Sequence, residues 1–283
     1  MLPPVARQFV AGETAAAVLE HARQLGERDV GTIVNLLGEH YHSRPPVERD
    51  ADTYCQLIED IGATDLRACL SVKPSQLGLF VAPELFESTL ASIVDHAAAN
   101  GVFVWIDMED HTTTADTLDA FERQARAHPG TVGVCLQANL RRSADDIERL
   151  ASVPGKVRLV KGAYDPPAEI AYTDADRVDE AYRDRLEAMF RTYDGGIAVG
   201  SHDPAMIEAA ADLHAEYGTD YEIQMLMGVR EDAQTELAAE RAVWQYAPYG
   251  ERWLSYFYRR LKERKRNAAF AARAVVSAFG KAQ

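Results

Sequence analysis

Cysteine is scarce in this chain: Cys55, Cys69 and Cys135 are the only three in 283 residues, widely spaced, with no CxxC pair. That excludes a disulfide framework and a thiolate zinc site, and it predicts a reduced, cytoplasmic setting with each thiol packed in the core. Long apolar runs are missing as well, since nothing approaches the roughly 18 uninterrupted apolar residues of a membrane helix. The opening MLPPVARQFVAGETAAAVLE has no basic segment, apolar segment and small-residue cleavage site in succession, so no export signal is expected. Glycine and proline are scattered and no like-charge block is long, which argues against linkers and low-complexity segments. Positive charge is in deficit: 30 Lys and Arg against 44 Asp and Glu give a formal charge of -14. A field of that sign repels a phosphate backbone, so a nucleic-acid partner is not expected. GxSxG, Walker and GxGxxG motifs are all absent, so any dinucleotide must be held by loops of another kind.

What is present is an alternation. Eight short β-like runs rich in Val, Ile and Leu recur along the chain. They are GTIVNLLG from Gly31, LRACLSVK from Leu66, VFVWIDM from Val102, TVGVCLQ from Thr131, VRLVKGA from Val157, GIAVGSH from Gly196, YEIQMLM from Tyr221 and AVWQYAP from Ala242. Amphipathic segments separate them, as over Pro83 to Asn100 and Ala205 to Tyr217. Strand plus return helix at this spacing is the βα unit, and eight of them suit an α/β fold of the (βα)8 barrel type better than an open doubly wound sheet. The expected layout is one catalytic domain over 1–283. It comprises an N-terminal helical segment over 1–29, a barrel over 30–265 with a last helix from Glu251 to about Arg264, and a tail over 266–283.

Several runs end in polar residues: Glu39 just past the first, then Lys73, Asp107, Gln137, Lys161, His202 and Gln224. A barrel gathers the C-terminal ends of its strands at one mouth, where active sites lie, so these residues are expected to converge. Strands also end in polar residues merely because they emerge into solvent, but a charge such as Arg158 inside an otherwise apolar strand is costly unless paired. Lys73, Arg158, Lys161 and the adjacent Arg259 and Arg260 would form a cationic pocket for a carboxylate or phosphate ligand. The competing reading of RRLKERKR is a solvated helix face. Metal sites can be drawn from Glu39, His40 and His42, or from Asp107, Glu109, Asp110 and His111, but no third partner is specified and no metal is expected.

RLVKGAY from Arg158 to Tyr164, with SVKPSQLG from Ser71, VWIDMED from Val104, LQAN from Leu136, SHD from Ser201, EIQMLMG from Glu222, YAPYG from Tyr246 and YFYRRLKER from Tyr256, resembles the proline dehydrogenase family. These are flavoenzymes with a (βα)8 barrel that oxidise L-proline to 1-pyrroline-5-carboxylate. The likeness covers about residues 30 to 266. It implies that Asp107 and Arg158 form the principal active-site pair, with Tyr246 beside them, and that Lys73, Arg259 and Arg260 bind the proline carboxylate. It further implies that Tyr164, Leu226, Tyr246 and Tyr256 wall the proline ring and that Glu263 orients the arginines. Met108, Gln137, Lys161, Gly162, Ala163, Ser201 and His202 match positions that contact FAD, and Glu39 resembles the acidic half of a gate closing on Arg259. Ser201 departs from the family, where Thr is more usual.

The activity so implied is hydride transfer from L-proline to noncovalent FAD, the first step of proline catabolism. A quinone would be the electron acceptor, with loose contact to the inner face of the cell membrane. A separate glutamate-semialdehyde (1-pyrroline-5-carboxylate) dehydrogenase would take the product. Two other readings compete: a different flavin barrel, such as a methylenetetrahydrofolate reductase relative, and a ligand-binding barrel without catalysis. The first leaves the arginine pair without a role, and the second leaves Asp107 and Arg158 without one.

Overall fold

The computed structural model describes residue 3, residues 6–254 and residue 256. All eight expected runs form strands: β1 Val30–Leu36, β2 Ala68–Val72, β3 Val104–Ile106, β4 Val132–Gln137, β5 Lys156–Val160, β6 Ile197–Gly200, β7 Tyr221–Leu226 and β8 Val243–Tyr249. They are parallel, pair in sequence order and close into a barrel. Closure is made by β1 against β8 in continuous register from Val30↔Val243 to Leu36↔Tyr249. The helices are α1 Ala15–Gly26, α2 Arg44–Gly62, α3 Pro83–Asn100, α4 Thr114–Ala127, α5 Ser143–Leu150, α6 Ala175–Thr192, α7 Pro204–Tyr217 and α8 Glu231–Ala238.

Local chemistry sets these boundaries. Pro83 and Pro204 start α3 and α7, where a missing N–H costs nothing, and left-handed Gly101 and Gly218 stop them, where a β-carbon would be strained. The run expected from Val102 shortens to a three-residue β3. Yet the Asp107 amide still donates to the Val72 carbonyl at 2.9 Å, so the strand direction carries to the mouth.

Period-two alternation sends one residue in two into the barrel. Ile33, Cys69, Trp105 and Ala198 make an interior cluster that Phe103, Trp244 and Tyr246 complete. Two glycines make room for the indoles: a β-carbon on Gly31 would sit 2.5 Å from the Trp244 ring, and one on Gly133 would sit 2.6 Å from the Trp105 ring. The larger core lies between the strands and the outer helices, with Leu57, Leu90, Phe121, Leu186 and Phe190 fully or almost fully buried there.

The helix expected ahead of the first strand is α1, and its place is structural. It packs on the outer face of β1 and β8, burying Val18 with Val34, Ala247 and Tyr249, and His21 Nε2 lies 2.7 Å from Gln245 Oε1. It therefore covers the wall at the β1–β8 seam. Of the helix expected from Glu251 to Arg264, only Trp253, Leu254 and Tyr256 are described as helical, and the remainder lies outside the described residues.

Candidate active site

Asp107, at the end of β3, is 5% exposed and accepts four hydrogen bonds. Its Oδ1 takes the Ser71 hydroxyl at 2.6 Å and Arg158 Nη2 at 2.5 Å. Its Oδ2 takes Lys73 Nζ at 2.5 Å and the Tyr246 hydroxyl at 2.7 Å. Lys73 Nζ also lies 3.2 Å from the Tyr246 oxygen. Strands β2, β3, β5 and β8 thus meet on one carboxylate. The Arg158 guanidinium carbon stands 5.1 Å from the Trp105 ring centre and 5.9 Å from that of Tyr246, so aromatic faces soften the burial of its charge.

Burial by itself would push the Asp107 carboxyl up, but the adjacent Lys73 and Arg158 charges hold it well below the usual carboxylate range. The same burial would pull Lys73 down, and Asp107 together with Glu109 reverses this and holds its ammonium above its ordinary value. Arg158 is likewise held charged against its burial, with Asp107 among the causes. Burial pushes the Tyr246 phenol well up, and the Asp107 charge adds to it, so the phenol is a neutral donor near pH 7. The result is an ionised Asp107 carboxylate held between two cations, Lys73 and Arg158.

Glu109 joins the surrounding loops. It is 2% exposed and accepts from both the amide and the hydroxyl of Ser75, each at 2.8 Å. The Ser75 oxygen in turn accepts from the His40 amide at 3.0 Å, and the Ser75 carbonyl accepts from the Tyr41 amide at 3.0 Å. Phe80 stacks against both His40 and His42. The loop holding Glu39 is therefore bound to the loop holding Lys73, and both to β3. Burial pushes the Glu109 carboxyl up, while Lys73 and the two Ser75 donors oppose it. Sequence reasoning placed Glu109 only in a metal sketch; no motif signals that its partners are a serine and a loop.

The remaining expected residues divide. Gln137 is buried and donates to the Glu109 carbonyl at 2.8 Å, and Met108 is buried beside Asp107. Lys161 does not join the cluster expected of it: its ammonium pairs with Asp179 of α6 at 2.5 Å and with Asp203, the N-cap of α7, at 2.8 Å. A strand exit can turn a long side chain either way, and two nearby carboxylates decide here. Gly162 and Ala163 are exposed, with Gly162 at φ +122°, where a β-carbon would lie 2.3 Å from Asn139 Oδ1. Tyr164 is half-buried within electrostatic reach of Lys73. The Ser201 hydroxyl accepts from the Asp203 amide at 3.1 Å, and His202 Nε2 accepts from the Leu226 amide at 3.4 Å, which fixes the side of the ring facing half-buried Leu226. Tyr256 packs on Ala6, Phe9, Val10 and Leu37, so the N-terminal segment backs it, and it is close enough to Tyr246 to affect that phenol. Arg259, Arg260 and Glu263, and with them the partner of the Glu39 gate, lie outside the described residues.

Gln224 sits deeper than the mouth expected of it, because its amide oxygen accepts from Arg158 Nη1 at 3.0 Å beneath the Asp107 pair. Among the described residues no group of three or more His, Cys, Asp or Glu is arranged to hold a metal ion. Cys69 and Cys135 are buried and Cys55 half-buried, and burial pushes all three thiols up, away from reactivity.

A family model described as proline dehydrogenase matches residues 18–273. Proline dehydrogenase 1 of Bacillus subtilis is 34% identical over 277 residues, covering 96% of this chain and 90% of that protein. Proline dehydrogenase of Deinococcus radiodurans is 34% identical over 283 residues with the same coverage. Among solved structures, proline utilization A from Bdellovibrio bacteriovorus, inactivated by N-propargylglycine, superposes with a TM-score of 0.83 at 22% identity. That match covers 91% of this chain and 32% of the other, so this chain spans about a third of that longer protein.

Proposed function

This chain belongs to the proline dehydrogenase family, and from that premise we propose that it oxidises L-proline to 1-pyrroline-5-carboxylate with FAD held at the C-terminal mouth of the barrel. The observation that carries the reading is the Asp107 centre, which keeps Lys73 and Arg158 charged and in place within a buried cluster. A structural barrel gains little from two buried cations around one carboxylate, whereas a small anionic substrate needs them.

Whether the residues suit a flavin can be judged from unspent polar atoms. Arg158 Nε and Asn139 Oδ1 are buried without a hydrogen-bond partner among the described residues. Beside Asn139 the exposed Gly162 backbone leaves space that any side chain would fill. Buried donors and acceptors lacking partners, next to a side-chain-free stretch, fit the polar edge of an isoalloxazine ring. Arg158, Met108, Gln137, Lys161, Gly162, Ala163, Ser201 and His202 are the groups we assign to holding it. When bound, FAD supplies the hydride acceptor, which the side chains of the mouth do not.

The protein's own part is binding and proton control. Lys73 Nζ carries three N–H bonds and spends two on Asp107 and Tyr246, leaving one for the proline carboxylate. Arg259 and Arg260 are assigned to the same carboxylate and Glu263 to orienting them, with Glu39 closing on Arg259. The Lys73 and Arg158 charges disfavour the protonated ring nitrogen, so the amine form, which can lose hydride from C5, is favoured. Tyr164, Leu226, Tyr246 and Tyr256 enclose the ring and exclude water. Electrons would pass to a quinone. The product would pass to a separate 1-pyrroline-5-carboxylate dehydrogenase. Among the described residues no helix is long and apolar enough to cross a membrane, and the proposed quinone contact is peripheral.

The test is optical. Purified protein should show flavin absorbance that bleaches on anaerobic addition of L-proline, and heat denaturation should release FAD into the supernatant. Recovery of FMN alone, or a flavin band indifferent to proline, would overturn the proposal.

A further inference from the structure

The Asp107 centre is the top of a longer polar chain inside the barrel. Below it, Arg158 Nη1 donates to Gln224 Oε1 at 3.0 Å, Gln224 Nε2 donates to Glu222 Oε1 at 2.7 Å, and Lys156 Nζ donates to Glu222 Oε2 at 2.6 Å. Arg158, Gln224 and Glu222 are 5%, 4% and 7% exposed, so each bond is made away from water. Only Lys156, with 39% of its side chain exposed, reaches solvent at the far end.

The sheet makes room for this chain at one strand. Arg158 is on β5, and Gln224 and Glu222 are on β7, with β6 between them. The inward residues of β6 in register with them are Ala198 and Gly200. A β-carbon on Gly200 would meet Val160 Cγ1 at 2.6 Å and Arg158 Cγ at 3.3 Å. Small residues on β6 therefore let side chains of β5 reach those of β7 across it.

The bonding order is forced by donor and acceptor chemistry. A guanidinium only donates, so Gln224 must present oxygen to it, and its nitrogen then needs an acceptor. Glu222 accepts from both Gln224 and Lys156, which locks the amide in that orientation, and Lys156 pairs with Glu222 without competing for Arg158. With Nη2 on Asp107 and Nη1 on Gln224, two anchors fix the plane of the guanidinium.

We propose that Gln224 and Glu222 are positioning residues that set the guanidinium plane of Arg158 for the reacting centre. The inference rests on the reading above, in which Arg158 meets the flavin and substrate. Its test uses flavin-loaded full-length protein in four forms: wild type, Gln224→Met, Glu222→Gln, and the exchanged pair Glu222→Gln/Gln224→Glu. Glu222→Gln lets the Gln224 amide turn its nitrogen toward Arg158, and losing a hydrogen bond to a charged group should slow anaerobic reduction by proline roughly 10- to 100-fold. Saturation by proline should change far less. The exchanged pair keeps an acceptor for Arg158 and a donor beneath it, and should recover most of the rate. Side-chain amide spectra give a second readout that needs no turnover: the Arg158 Nη signals should be resolved in wild type and averaged in Gln224→Met. A wild-type rate in Gln224→Met, or an exchanged pair no faster than Glu222→Gln, would overturn the inference. Wild type that is never reduced by proline would sink the functional reading alone, and the arginine signals would then decide whether the chain sets the plane.

Discussion

At the scale of single residues, Asp107 is the group on which most depends. Its carboxyl has a lowered pKa in the folded protein, so its stabilisation is present above the unfolded value of about 3.9 and is lost as pH falls through the folded value. Lys73 has a raised pKa, so its contribution is present below the unfolded value of about 10.4 and is lost as pH rises through the folded value. Between those limits the cluster is fully charged. Asp107→Asn strands two buried cations and should cost about 3–5 kcal/mol near neutral pH, a gap that narrows as pH falls below about 4. Urea unfolding of both forms from pH 3 to 8 checks this. A gap that stays constant through the acid limb would show that Asp107 is not the ionised partner of Lys73 and Arg158.

Among elements, the loops after β1, β2 and β3 behave as one body because Ser75 serves all three. Its hydroxyl donates to Glu109 and accepts from the His40 amide, and its own amide donates to Glu109. Ser75→Ala removes two of these bonds and leaves a buried carboxylate short of a donor, a cost of about 1–3 kcal/mol. Loosening the loop that carries Glu39 should also weaken proline binding, so KM should rise more than kcat falls. Thermal unfolding together with steady-state kinetics separates the two effects. An unchanged KM with a lowered melting temperature would confine Ser75 to stability. VWIDMED displayed Asp107 and Glu109 on the same strand exit, but which neighbouring loop each would meet depends on pairing between strands, which no local pattern encodes.

For the molecule as a whole, closure of β1 on β8 leaves an outer surface that α1 covers with Val18, a fully buried residue. This makes the N-terminal helix part of the barrel wall. Val18→Asp would bury an unpaired charge there and should abolish cooperative unfolding or lower stability by several kcal/mol, while Glu20→Ala on the exposed face should melt as wild type does. Thermal melts of the two variants decide the matter, and a wild-type melt for Val18→Asp would reduce α1 to an appendage.

Sequence by itself determined the class of architecture and the identity of its central pair. Eight apolar runs at βα spacing imply a parallel barrel because each strand must bury two faces, and Arg158 stands out because a charge is costly in such a strand, while the family resemblance supplied Asp107 as its partner. What only the tertiary structure decided is who meets whom. Lys161 carried the same promise as Lys73, yet it turned to Asp179 and Asp203. Gln224 read as another polar strand end, yet it lies under Arg158 because Ala198 and Gly200 leave the way open. Alternation along a strand says which side chains face inward. The register between strands and the bulk of the strand in between say which of them touch, and those are properties of residues far apart in the chain.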